Sequence, residues 1–158
     1  FLALGSLTTA ECSSAFQVKY TINGVPTDAD GQLLTEAQTA SKPQVSFPAA
    51  SSSDDIYTII MYDPDAPSPQ NPTCKNWLHW TYVNGKGAHL SGGTDAVPYE
   101  GPSPPIGTHN YHVSVFLQSF DGLSPAIPKS RCKFDVDQFA ADNGLTLKAD
   151  VAFKVAAA

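Results

Sequence analysis

The chain has 158 residues, enough for one domain with a real core, and 42% of them are apolar. Only 15% are charged, and the formal charge of −6 leaves nine Lys and Arg, which do not cluster. That balance argues against a nucleic-acid partner and against an anionic membrane surface, both of which need clustered cations. No apolar run approaches the roughly 20 residues needed to cross a bilayer, so no integral membrane segment is expected.

Phe1 to Ala10 is apolar but short and lacks a basic leader; it reads as an ordered N-terminal arm, with the tail of a trimmed signal segment as the alternative. Phe16 to Tyr20 alternates as a strand does, and Asn23-Gly24 is a turn signal. Val45 to Phe47 is a second short strand, ended by Pro48. Tyr57 to Tyr62 is apolar on both faces, which predicts a central strand. Trp77 to Val83 follows, closed by the hairpin-type dipeptide Asn84-Gly85. Lys86 to Gly93 reads as turn, short strand, turn, and Asn110 to Ser119 is the longest β run. Asp135 to Asn143 alone looks helical: Val136, Phe139 and Ala140 share a face and Gly144 suits a C′ position. Leu145 to Val155 alternates again. The expectation is a mainly β domain over residues 1–158, with residues 1–15 as an N-terminal arm, two antiparallel layers and one short helix. Thirteen prolines suit the loops of such a fold.

The three cysteines are Cys12, Cys74 and Cys132, with no C-x-x-C pair. The composition leans toward a secreted protein, with a cytoplasmic one as the alternative. A secreted chain would bridge Cys74 to Cys132, since both lie in loops between predicted elements; a cytosolic one would keep three thiols.

Two proline-braced segments carry the candidate site. Asp63-Pro64-Asp65-Ala66-Pro67 fixes the backbone just after a strand, and Pro104-Pro105 does so before Gly107. By alternation, Asp63 shares a face with Tyr57, Ile59 and Met61; Trp77 and His79 share one with Thr81 and Val83; His109 and Tyr111 share one with Val113, while His112 points away. Each residue alone has an ordinary explanation: a strand histidine is mostly a packing residue, a tryptophan mostly core, an Asp-Pro-Asp mostly a turn, and His89 a surface loop residue.

The combination is more specific. D-P-D-A-P-S at Asp63 to Ser68 followed by W-x-H at Trp77 and His79, then G-x-x-P-P-x-G with a His and a Tyr at Gly101, Pro104, Pro105, Gly107, His109 and Tyr111, resembles the phosphatidylethanolamine-binding protein family, which includes the Raf-kinase inhibitor proteins and plant flowering regulators. The resemblance implies a large antiparallel sheet packed on a smaller one with one or two short peripheral helices. It also implies a monomer with no catalytic activity, cofactor or metal. The family's pocket accepts phosphate or a phospholipid head group, and its protein partners include kinases and proteases. Carried over by position, Asp63, Trp77, His79, Pro104, Pro105, Gly107, His109 and Tyr111 would line that pocket, with Asp65 bracing the loop.

Several positions depart from the pattern. Pro69 and Asn110 stand where the family has Arg, which removes two cations near the rim and bears on partner docking more than on the pocket. A rim aromatic falls at Cys74. Animal members carry a helix after the last strand that partly gates the pocket; from Val155 to Ala158 none is expected, which would leave the pocket more open.

A phosphate needs donors, which two imidazoles, a phenol and loop amides supply. Asp63 would hold one imidazole in a fixed tautomer and favour its charged form, so anion affinity is expected to fall as pH rises through about 6.5. Rival readings fare worse. A hydrolase would need an activated nucleophile, yet the chain has no Gly-x-Ser-x-Gly and Cys74 has no evident His partner. His79, His109 and Asp63 could form a two-His-one-carboxylate metal site. The more serious alternative is a protease inhibitor or signalling adaptor that acts through its surface, with the pocket secondary.

Overall fold

The period of two that runs through the sequence becomes two facing sheets. The computed structural model describes residues 16–52 and 54–158, so the predicted arm over residues 1–15, with Cys12, lies outside the described residues. In chain order the strands are β1 (Gln17–Ile22), β2 (Val25–Asp28), β3 (Leu33–Leu34), β4 (Gln44–Ser46), β5 (Tyr57–Asp63), β6 (Trp77–Gly85), β7 (Thr94–Val97), β8 (Thr108–Gln118) and β9 (Leu145–Ala156). The small sheet has the order β2-β1-β4 and the large one β3-β9-β8-β5-β6-β7. Every pairing is antiparallel except β3 with β9.

β5 lies between β6 and β8 and is buried on both faces, as its double-sided apolar pattern predicts. Tyr57, Ile59 and Met61 face the small sheet and pack with Val18 and Tyr20 of β1, Val113 and Val115 of β8, and Phe153 of β9. Ile60 faces the other way, into a second cluster with Leu78, Phe116, Phe134 and Val136. Burying each such side chain contributes about 1.5–3 kcal/mol. The second cluster is covered by α1 (Val136–Asp142), whose N-cap Asp135 accepts from the Gln138 amide at 3.0 Å. Gly144, at φ 63°, follows its last turn as expected. A short 3-10 turn, Pro48–Ser52, is the other peripheral helix.

Asn23 and Gly24, at φ 51° and 77°, make the predicted turn between β1 and β2. Asn84-Gly85 does not turn the chain. β6 runs through Gly85, and the reversal falls on residues 87–90, between the bridged Lys86 and Ser91. The asparagine is used otherwise: its Oδ1 accepts from Gln118 Nε2 and the Leu123 amide, both at 2.9 Å, and pins the loop after β8.

Candidate functional site

Asp63 closes β5, and the prolines after it prevent further strand pairing. Its Oδ1 accepts the Asp65 amide at 2.7 Å, an Asx-type turn that bends the loop back. Asp65 then reaches β8, where its Oδ2 accepts from the Asn110 amide at 2.7 Å and from Asn110 Nδ2 at 3.0 Å. Asp65 therefore ties the two proline-rich segments together, and Asn110 is spent on that tie.

β6 departs from strict alternation. Met61 opposes Trp80 and Tyr62 opposes Leu78, so His79 is an extra residue in a β-bulge. The bulge sends Trp80 into the inter-sheet core and Leu78 into the outer one, and leaves Trp77 and His79 facing Asp63. Thr81 opposes Ile60 and faces the outer core, so the predicted shared face of Trp77, His79, Thr81 and Val83 does not form. On β8, His109 and Tyr111 face the site, while His112 points away, stacks on Tyr62 at 5.2 Å and pairs with Asp150 at 2.8 Å.

These side chains meet at a cavity of about 220 Å³. Asp63, Pro67, Trp77, His79, Pro104, Pro105, His109 and Tyr111 line it, joined by Ala66, Glu100, Gly101 and Ser103. Pro64 and Gly107 are not in the wall. Gly107 shapes the loop instead: at φ 77°, its carbonyl accepts the Ala157 amide at 2.8 Å, and an added Cβ would stand 3.3 Å from Pro69. A larger hollow of about 540 Å³ lies around Trp80, Tyr82 and Leu90. There Lys42 pairs with Asp95 at 3.0 Å and Trp80 Nε1 donates to Asp95 at 2.8 Å, and none of the sequence-predicted site residues lines it, so the smaller cavity is the candidate.

Within that cavity the two histidines are not equivalent. His109 Nδ1 lies 2.7 Å from Asp63 Oδ2, and its Nε2 lies 2.9 Å from the Ile106 carbonyl. A carbonyl and an ionised carboxylate only accept, so both ring nitrogens donate inward and neither is left for a ligand. At Tyr111, burial first, and then the charge of Asp63, push the hydroxyl far above the usual tyrosine pKa. His79 Nδ1 is 2.7 Å from the Glu100 carbonyl, and its ring packs edge-on against Tyr111. Burial holds the His79 pKa below the ordinary histidine value, against the raising effects of the Glu100 carbonyl and Asp63. The ring that Asp63 holds is that of His109, whereas at His79 desolvation dominates.

Arg131 was not among the sequence candidates. Its Nη1 donates to the Leu78 and His79 carbonyls, both at 3.0 Å, its Nη2 donates to Pro98 at 2.9 Å, and its Nε lies 3.3 Å from Glu100. It holds the bulge from behind. Its neighbour Cys132 is bonded to Cys74, the bridge expected of an oxidised chain, with the Cα atoms 4.7 Å apart. That pairing was the available signal, because it brings Arg131 beside Trp77 to His79. Cys74 therefore has no thiol to act as a nucleophile, and among the described residues no group of three or more His, Cys, Asp or Glu is placed to hold a metal ion.

The sequence profile of the phosphatidylethanolamine-binding protein family matches residues 13–154. Over 101 residues the chain is 41% identical to the rice (Oryza sativa subsp. japonica) protein MOTHER of FT and TFL1 homolog 2, covering 59% of this chain and 55% of that one. Over 130 residues it is 33% identical to the Arabidopsis thaliana protein BROTHER of FT and TFL 1, covering 82% and 73% respectively. Among solved structures, a carboxypeptidase Y inhibitor in complex with its cognate proteinase matches with a TM-score of 0.76 at 25% identity, over 90% of this chain and 83% of that one.

Proposed function

The chain belongs to the phosphatidylethanolamine-binding protein family, and from that premise we propose that it is a non-catalytic, monomeric, single-domain binding protein whose cavity takes phosphate or the phosphoethanolamine head group of a phospholipid. The observation that carries this reading is the convergence of Asp63, His79, His109 and Tyr111 on one small cavity held between two proline-braced loops. Such loops lose little entropy when a ligand docks. His79→Ala should weaken phosphoethanolamine binding at least tenfold by calorimetry, about the value of one hydrogen bond to a charged group, while the far-UV circular dichroism stays that of wild type. Unchanged affinity would remove His79 from the site.

A second reading is favoured by the likeness to the carboxypeptidase Y inhibitor: the protein would act as a regulator through its surface, with the cavity secondary. Inhibition of carboxypeptidase Y by wild type and by His79→Ala alike would favour that reading.

The Cys74–Cys132 bridge supports an oxidising compartment, such as the extracellular space, over the cytoplasm. Thiol counting on the unreduced protein in denaturant should find one thiol out of three cysteines; three would point to the cytoplasm.

A further inference from the structure

We propose that the cavity takes up its ligand together with one proton, which lodges on Nε2 of His79, so that the ligand bound is the monoanion of a phosphate ester held against an imidazolium. This rests on the head-group reading above and specifies the charge state at that same site.

Hydrogen-bond direction carries the argument. Nδ1 of His79 lies 2.7 Å from the Glu100 carbonyl, which cannot donate, so Nδ1 must hold a hydrogen. The neutral ring then turns a bare lone pair toward the cavity at Nε2, which has no hydrogen-bond partner among the described residues. The other neutral tautomer would set the Nδ1 lone pair against the Glu100 oxygen at 2.7 Å, and so is blocked. An ionised phosphate oxygen also carries only lone pairs. Neutral His79 and such an oxygen therefore repel, and one added proton converts the contact into a charge-assisted hydrogen bond.

No other group in the site supplies that charge. The groups facing His79 are Asp63 from β5, His109 and Tyr111 from β8, Glu100 from the loop after β7, and Arg131 from the loop after β8. Asp63 is matched by His109, and Arg131 by Glu100 and three carbonyls. Burial keeps Tyr111 a neutral phenol. The empty site is therefore close to neutral overall, and the incoming proton is its missing cation. Burial keeps that proton off the free protein, so it arrives with the ligand.

The sign follows from linkage. The free ring titrates low and the liganded ring high. Affinity is full below the free value and falls by about tenfold per pH unit until the liganded value is passed. The test is calorimetry on the full chain with glycerophosphoethanolamine, whose phosphodiester does not titrate near neutrality, in non-phosphate buffers of different ionisation enthalpy. Uptake close to one proton per ligand at pH 7 is expected. His79→Gln should bind more weakly, with no uptake and no pH dependence. Ring nitrogen NMR shifts of wild-type His79 give the same answer without a variant: one protonated nitrogen when free, two when bound. Binding without proton uptake overturns the inference and leaves the head-group reading standing. Uptake that persists in His79→Gln overturns the assignment to this ring. Failure of both glycerophosphoethanolamine and inorganic phosphate to bind at any pH between 5 and 8 overturns the head-group reading itself.

Discussion

Asp63→Ala should destabilise the fold by about 3–5 kcal/mol, the scale for removing one partner of a buried charge pair. The Asp63 carboxylate accepts the Asp65 amide and the His109 ring, each at 2.7 Å. His109 is fully buried, with its other nitrogen on the Ile106 carbonyl. Without Asp63 the ring must either keep an uncompensated charge or give up one of its two hydrogen bonds. Asp63→Asn should cost less than the alanine change, because an amide oxygen still accepts from the Asp65 amide. Urea denaturation of the three proteins at pH 7 measures this, and an alanine variant as stable as wild type would mean that the pair carries no charge. The same change should weaken phosphoethanolamine binding, since Asp63 fixes the His109 ring and bends the loop that brings Ala66 and Pro67 into the cavity wall.

Phe153→Ala should cost about 3–5 kcal/mol as well, through a different mechanism. Phe153 is 1% exposed, stacked on Tyr111 with centroids 5.6 Å apart and edge-on to Tyr20 at 5.6 Å. Truncation leaves a void that three strands cannot close without moving. Because Tyr111 is also the aromatic wall of the cavity, the loss should be accompanied by weaker ligand binding. Phe153→Leu, which refills most of the volume, should cost less than about 1.5 kcal/mol and largely restore affinity. Equal losses in the two variants would show that packing volume is not what holds Tyr111.

How much of this was legible in the sequence depends on how local each signal is. β8 and β9 are long enough for alternation to be read, β5 is legible as a run apolar on both faces, β6 is legible as a strand though not in its facing, and Asp135 with Gly144 brackets the helix. β2, β3 and β7, at two to four residues, are edge strands too short to carry a period, and they went unread. The bulge at His79 has no residue signature; it arises from two cores competing for Leu78 and Trp80 on either side of it. Asn84-Gly85 carries a turn signature but serves Gln118 and Leu123 instead. In the site, Asp63, His79 and Tyr111 could be anticipated from strand ends and prolines. That His109 is spent could not, because it depends on where the Ile106 carbonyl falls. The hold of Glu100 on His79 is a backbone contact, to which side-chain identity gives no clue.

The bulge has an optical consequence. The chain has two tryptophans, Trp77 and Trp80, only three positions apart. Trp77 is half-buried in the cavity wall, whereas Trp80 is 3% exposed with its indole N–H on Asp95. Intrinsic fluorescence therefore mixes two reporters: Trp77 emission follows occupancy of the cavity, and Trp80 emission follows the integrity of the inter-sheet core. Replacing either tryptophan with phenylalanine separates ligand titration from unfolding within a single spectrum.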